Sequence, residues 1–184
     1  MRKKVLLIGA STGGPAQIKE LLSSIDSLSC TIIIAQHMRE EILPFFIKDL
    51  KDSLKIKVHM TPVDMNLNEP SVIVCSHSSV LEKCDGNYMI KTDMTNQIYT
   101  PDINKIFNSF TTFAHDFDIH VLIMTGIGRD GVEGAKNLKQ KGARISAQNE
   151  KSSPVYGMPK AAFEAGIVDE VKSFEMIKEC FKGL

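Results

Sequence analysis

The 184-residue chain has no tryptophan, only three tyrosines, and four cysteines, none of them in a CxxC pair. It also lacks a dominant charge: 22 Lys and Arg stand against 22 Asp and Glu, for a formal net charge of zero. That balance excludes the basic field on which nucleic-acid binding depends. Cys30, Cys75, Cys84 and Cys180 offer neither a disulfide framework nor zinc-ligand spacing, so reduced thiols and no metal are expected. Apolar runs such as Ile32-Ile33-Ile34-Ala35 are strand-sized, well short of the roughly 20 residues of a membrane span. Met1-Arg2-Lys3-Lys4 leads into a strand and not into a signal-peptide core, so a cytoplasmic protein without membrane insertion is expected. No linker, repeat or low-complexity segment interrupts the chain, and its length suits one α/β domain over residues 1–184.

What is present is an alternation of extended and helical patterns. Val5–Gly9 reads as a strand, followed by Ile18, Leu21, Leu22 and Ile25 at helical spacing after Pro15, which suits a first helical turn. Thr31–Ala35 is the next strand; Ile42, Phe46, Ile47, Leu50 and Leu54 mark an amphipathic helix, and Ile56–Met60 is extended again. Between Thr61 and Thr100 the pattern changes. Short extended pieces at Ser71–Cys75, Val80–Lys83, Tyr88–Lys91 and Gln97–Thr100 are punctuated by Asn68, Pro70, Asp85-Gly86-Asn87 and Asn96, as in antiparallel hairpins.

Beyond Pro101 the alternation resumes with helix Ile103–Ala114, strand Ile119–Thr125, helix Gly131–Gln140 and strand Ala143–Ala147. A polar loop, Gln148–Gly157, precedes a short helix Pro159–Glu164, a strand Ile167–Val171 and a closing helix Phe174–Phe181. The expected fold is α/β: three layers, doubly wound, with a mainly parallel sheet and an antiparallel hairpin excursion in the middle. Ligands of such sheets lie beyond the carboxyl ends of the strands.

Three of those strand ends carry reactive side chains. The first gives Gly9-Ala10-Ser11-Thr12-Gly13-Gly14, where glycines permit a sharp turn and the free N–H groups of the following helix make a pocket for negative charge. Such a turn serves either a nucleophilic serine or a bound phosphate. The second strand ends in Gln36-His37-Met38, and the strand ending at Thr125 leads to Gly126-Ile127-Gly128-Arg129-Asp130-Gly131. Ser11, His37 and Asp130 are the groups a hydroxyl nucleophile needs: the hydroxyl, a base for its proton, and a carboxylate to fix the imidazole tautomer. Taken singly, Ser11 reads as a cap or phosphate contact, His37 as structural and Asp130 as the N-cap of its own helix. Their joint placement at three strand ends favours one site.

The rival is a nucleotide- or phosphate-binding domain without hydrolase activity. A dinucleotide site wants an acidic residue about 20 residues after the glycine turn, and Ile34-Ala35-Gln36-His37 offers none. Ser11 also occupies the second glycine position of that fingerprint. Cys75-Ser76-His77 reads as a buried thiol at a strand end, and His115-Asp116-Phe117-Asp118-Ile119-His120 as a solvated helix-to-strand connection.

The segments Ile8–Gly14, Gln36-His37-Met38, Pro101-Asp102-Ile103-Asn104, Met124–Gly131, Ala147-Gln148-Asn149-Glu150 and Tyr156-Gly157-Met158-Pro159 resemble, in order, the catalytic domain of the chemotaxis protein-glutamate methylesterases, CheB. The resemblance implies Ser11 as nucleophile, His37 as general base and Asp130 as orienting acid, with no cofactor. It implies methyl-ester hydrolysis, with methanol release, on glutamate side chains of the methylated cytoplasmic helical bundle of chemoreceptors, and deamidation of receptor glutamines. Backbone N–H groups of Thr12 and Ile127 are the expected oxyanion donors, and Ser11 Oγ is expected about 2.6–3.2 Å from a His37 ring nitrogen, somewhat longer without substrate. Family members generally carry an N-terminal receiver domain; here the first strand starts close to Met1, so no in-chain phosphoryl control is expected. Two further departures stand out: Ser76-His77-Ser78-Ser79 replaces a glycine- and aspartate-bearing loop, and Arg129, beside Asp130, replaces a frequent asparagine and reads equally as a contact for the acidic receptor surface or as a solvated side chain.

Overall fold

The computed structural model describes residues 2–61, 65–67, 69–93, 95 and 99–184. In chain order the elements are β1 (Lys3–Ala10), α1 (Gly14–Ser23), β2 (Thr31–Gln36), α2 (Leu43–Ser53), β3 (Val58–Met60), β4 (Met65–Asn66), β5 (Val72–Val74), β6 (Ser79–Cys84) and β7 (Asn87–Thr92). They continue with α3 (Ile103–Ser109), β8 (Phe117–Ile123), α4 (Val132–Gln140), β9 (Arg144–Gln148), α5 (Met158–Glu164), β10 (Glu170–Lys172) and α6 (Phe174–Lys182). Seven strands form one parallel sheet in the order β10-β9-β8-β1-β2-β5-β3; β4, β7 and β6 form a small antiparallel sheet.

The central strands are apolar on both sides because both faces of the sheet are covered. On one face Ile8, Ile32 and Ile34 pack with Ile18, Leu21 and Leu22 of α1, Phe46 and Leu50 of α2, and Ile177 and Phe181 of α6. On the other, Leu7, Ile33 and Val121 pack with Ile106 and Phe107 of α3, Leu138 of α4 and Ala162 of α5, and with Leu81 and Ile90 of the small sheet. This is the three-layer, doubly wound arrangement expected. The Asp85-Gly86 hairpin also forms as expected: both residues have positive φ, 48° and 80°, the conformation a two-residue turn between paired Cys84 and Asn87 requires.

Three boundaries differ from the sequence expectation. Val72, Ile73 and Val74 belong to the parallel sheet between β2 and β3 rather than to the hairpin excursion; all three are buried, as a central parallel strand must be. The helix from Ile103 ends at Ser109 and continues as 3₁₀ turns over Phe110–Asp116. There the hydroxyls of Ser109 and Thr111 donate back to the carbonyls of Ile106 and Asn108, and Ser109 Oγ also takes the N–H of Leu81, which competes with the α-helical pattern. The last strand begins at Glu170, after Asp169 has turned its carboxylate onto Ile145 N. Asn68, Asn96 and the first half of the strand expected over 97–100 lie outside the described residues.

Candidate active site

β1 lies between β8 and β2, so the residues following these three strands share one rim of the sheet. Ser11 follows β1 directly. Its N–H donates to Thr125 O at 2.9 Å, and its carbonyl accepts from Gly14 N and from Gln36 Nε2, each at 2.9 Å. Gly13 turns the chain with φ 83°. Gly126 permits the β8 loop to approach: a Cβ there would lie 2.6 Å from Ser11 Cβ and 2.4 Å from Met158 Sδ. Thr125 Oγ1 locks the two loops by donating to Thr12 O at 2.8 Å and accepting from Val155 N at 3.0 Å.

His37 follows β2, its N–H extending the ladder to Ala10 O at 2.9 Å. Its Nε2 lies 2.8 Å from Asp130 Oδ2, with the two side chains 15% and 1% exposed. A carboxylate so buried needs donors, and Asp130 has four: besides His37, Oδ2 accepts from Ile103 N at 2.9 Å, and Oδ1 from Asn104 N at 3.0 Å and Gly131 N at 2.8 Å. Asp130 therefore does not N-cap its own helix. Gly131, with φ 89°, is the N-cap of α4, and Asp130 instead takes the first two N–H groups of α3, while Asp102 takes the third, Lys105 N. Because a carboxylate only accepts, His37 Nε2 carries the hydrogen, and in the neutral ring Nδ1 is the acceptor.

Among the described residues no hydrogen bond joins Ser11 Oγ to the His37 ring. The two residues are instead tied through Gln36, whose Nε2 donates to both Ser11 O and His37 O, at 2.9 and 2.8 Å.

The peptide planes of the two expected oxyanion donors are held by similar means. The Ser11 carbonyl is fixed by two donors, and the Gly126 carbonyl by Gly157 N and Met158 N at 3.1 and 2.8 Å. In a trans peptide the N–H points opposite to the carbonyl, so the N–H groups of Thr12 and Ile127 are directed away from these anchors. Neither makes a hydrogen bond among the described residues.

Three contributors have roles that sequence reasoning did not assign. Gln36 is a glutamine at a strand end whose clamp is purely tertiary; Thr125 is a buried hydroxyl two residues past the end of β8; and Tyr99 stacks on His37 from 62 positions later, with ring centroids 5.1 Å apart and planes at 21°. At the neighbouring strand end, Ser76 Oγ contacts His77 Nδ1 at 2.9 Å and His77 Nε2 lies 3.4 Å from Glu40 Oε1. Cys75 beside them is fully buried, and burial pushes its thiol up to about 12, as suits an inert core thiol. Arg129 is exposed on the rim. No group of three or more His, Cys, Asp or Glu among the described residues is arranged to hold a metal ion.

Fold and site together define a doubly wound α/β protein with a serine, a histidine–aspartate pair and two directed backbone N–H groups gathered at adjacent strand ends. A family model described as CheB methylesterase matches residues 6–181. The chain belongs to the CheB methylesterase family. It is 33% identical over 184 residues to a probable protein-glutamate methylesterase of Borreliella burgdorferi, covering 98% of this chain and 49% of that one. It is 33% identical over 183 residues to a protein-glutamate methylesterase/protein-glutamine glutaminase of Lawsonia intracellularis, covering 97% and 51%. The chain thus spans about half the length of the curated relatives it matches. The crystal structure of the Thermotoga maritima CheB methylesterase catalytic domain superposes with a TM-score of 0.89 over 100% of this chain and 99% of that one, at 22% identity, a likeness of fold.

Proposed function

We propose that residues 1–184 act as one methylesterase catalytic domain, a cytoplasmic serine hydrolase that removes methyl esters from glutamate γ-carboxylates of chemoreceptors and deamidates receptor glutamines during adaptation. The observation that carries this reading is the 2.8 Å contact between His37 Nε2 and the buried Asp130 carboxylate, on the same rim as Ser11. With Nε2 engaged, His37 Nδ1 takes the proton of Ser11 as Oγ attacks the ester carbonyl. The oxyanion is met by Thr12 N–H and Ile127 N–H, one such donor being worth about 2.7–4 kcal/mol in the transition state. The C–OCH₃ bond breaks, His37 returns the proton, and methanol leaves. Water then adds to the acyl-serine, giving its proton to His37; the C–Oγ bond breaks, Ser11 is reprotonated and glutamate is released. With an amide substrate the same sequence expels ammonia.

The methylated cytoplasmic helical bundle of a chemoreceptor is the proposed partner, and the relatives' printed names support both activities. No described helix is long and apolar enough to cross a membrane. Methanol release from methylated receptor is expected from wild type and lost in Ser11→Ala and His37→Ala. Full activity in Ser11→Ala would show that the nucleophile is misassigned; tight dinucleotide binding without labelling by a serine-directed phosphonate would favour the phosphate-binding rival.

A further inference from the structure

The Asp130 bond fixes His37 in the plane of its ring at one nitrogen only. Against its face lies Tyr99, nearly parallel at 21° and 5.1 Å between centroids, a favourable arrangement for two aromatic rings. Tyr99 remains 45% exposed, so one face of the phenol covers the imidazole while much of the side chain stays open to the rim. Its hydroxyl has no hydrogen-bond partner among the described residues, so the contact belongs to the ring.

Asp93, Thr95 and the Tyr99 carbonyl are linked to the same helix that donates to Asp130. Lys105 of α3 pairs with Asp93 Oδ2 at 2.9 Å and also donates to Thr95 O. Asp93 N donates to Ser78 O at 2.8 Å, and Ser78 Oγ bridges between Asp102 N, at 2.9 Å, and Tyr99 O, at 3.5 Å. The N-terminus of α3 meanwhile donates to Asp130. Both restraints on His37, in the ring plane and across it, thus originate at α3.

We infer that Tyr99 is a positioning residue for the reaction: its ring packs on the face of His37 and limits the tilt of the imidazole, so that Nδ1 can meet Ser11 Oγ once substrate is bound. This rests on the reading of His37 as general base. Removing the stack lets the imidazole swing about its Cα–Cβ bond, a displacement large enough to matter because misplacing a reacting group by about 1 Å costs up to about a hundredfold. The stack acts on the base and not through a hydrogen bond of the tyrosine hydroxyl, so the loss is expected in kcat.

The test is steady-state methanol release from methylated receptor by Tyr99→Leu, Tyr99→Ala, Tyr99→Phe, His37→Ala and wild type, with melting curves for each. Tyr99→Leu and Tyr99→Ala are expected to lose about tenfold in kcat with KM within twofold, and Tyr99→Phe to recover most of the rate because it restores the ring without the hydroxyl. In solution NMR, the His37 ring protons of wild type should carry an upfield ring-current shift that Tyr99→Leu removes and Tyr99→Phe keeps. Unchanged kcat in Tyr99→Leu, a defect confined to KM, a Tyr99→Phe as impaired as Tyr99→Leu, or no ring-current shift in wild type would each overturn the inference. If His37→Ala turned over like wild type, the general-base reading itself would fall. An inactive His37→Ala beside a fully active Tyr99→Leu would remove only the role of Tyr99. A variant that melts early is judged by the NMR shift of folded wild type and Tyr99→Phe.

Discussion

Replacing Asp130 with asparagine is the sharpest test of the site, because it keeps the shape of the side chain and removes one acceptor. The carboxylate accepts four hydrogen bonds, two on each oxygen. An asparagine has one acceptor oxygen and two N–H donors. If its oxygen keeps Asn104 N and Gly131 N, the amide nitrogen faces Ile103 N–H and His37 Nε2–H; the reverse orientation sets it against Asn104 and Gly131. The first arrangement is the cheaper one, since His37 can relieve its half of the clash by moving its hydrogen to Nδ1. Ile103 N–H then stays buried without an acceptor, and the charge-assisted bonds weaken, together costing about 2–4 kcal/mol. For a domain of this size that is a fall in melting temperature of roughly 5–15 °C. The new tautomer presents Nδ1–H to Ser11 and cannot take its proton, so methanol release should drop about 10³–10⁴-fold, the scale known for the equivalent change in serine proteases. Phosphonate labelling of Ser11 should slow in parallel. Activity within tenfold of wild type would refute the orienting role, and an unchanged melting curve would refute the capping of α3.

Further outcomes follow from the surrounding geometry. Gly126→Ala would place a methyl 2.6 Å from Ser11 Cβ and 2.4 Å from Met158 Sδ, so Ser11 must shift; a loss of at least tenfold in kcat is expected in the methanol assay, with a melting temperature reduced by a smaller fraction than in Asp130→Asn. The Asp93 carboxyl is held down to about 2, first by its hydrogen bonds with Thr95 and then by Lys105. A depressed carboxylate contributes stability that is present above its unfolded value and is lost as pH falls through about 2. Urea midpoints should therefore decline between about pH 4 and pH 2, and less steeply in Asp93→Asn. In a native thiol titration at pH 8, exposed Cys180 should react promptly and Cys75, with its thiol raised to about 12, only after denaturation. Prompt modification of Cys75 in the folded protein would contradict its burial.

The alternation of strands and helices was legible because each central strand is apolar on both faces and each helix on one. The hairpin at Asp85-Gly86 was legible because few dipeptides accept two positive φ values in succession. In two places one signal had two structural meanings. Val72-Ile73-Val74 is short and bounded by turn residues, like a hairpin strand, yet its burial on both faces belongs to a parallel sheet. Asp130 precedes a helix, as an N-cap does, yet its carboxylate turns to the start of another helix, 26 and 27 positions earlier in the chain. Local spacing carries no information about which helix end lies nearby.

By itself the sequence determined the chemistry available at each strand end: a serine in a glycine turn, a histidine after an all-buried strand, an aspartate between glycines. Those are properties of residue type and of the turn that a short segment must make. Only the tertiary structure decided how the groups are restrained. Strand order brings β8, β1 and β2 side by side, so Asp130 can take His37 and the α3 N-terminus together. Gln36 ties Ser11 to His37, and Tyr99 closes over the imidazole. These restraints join residues tens of positions apart, and a linear pattern cannot encode a contact whose partners are selected by the packing of the sheet.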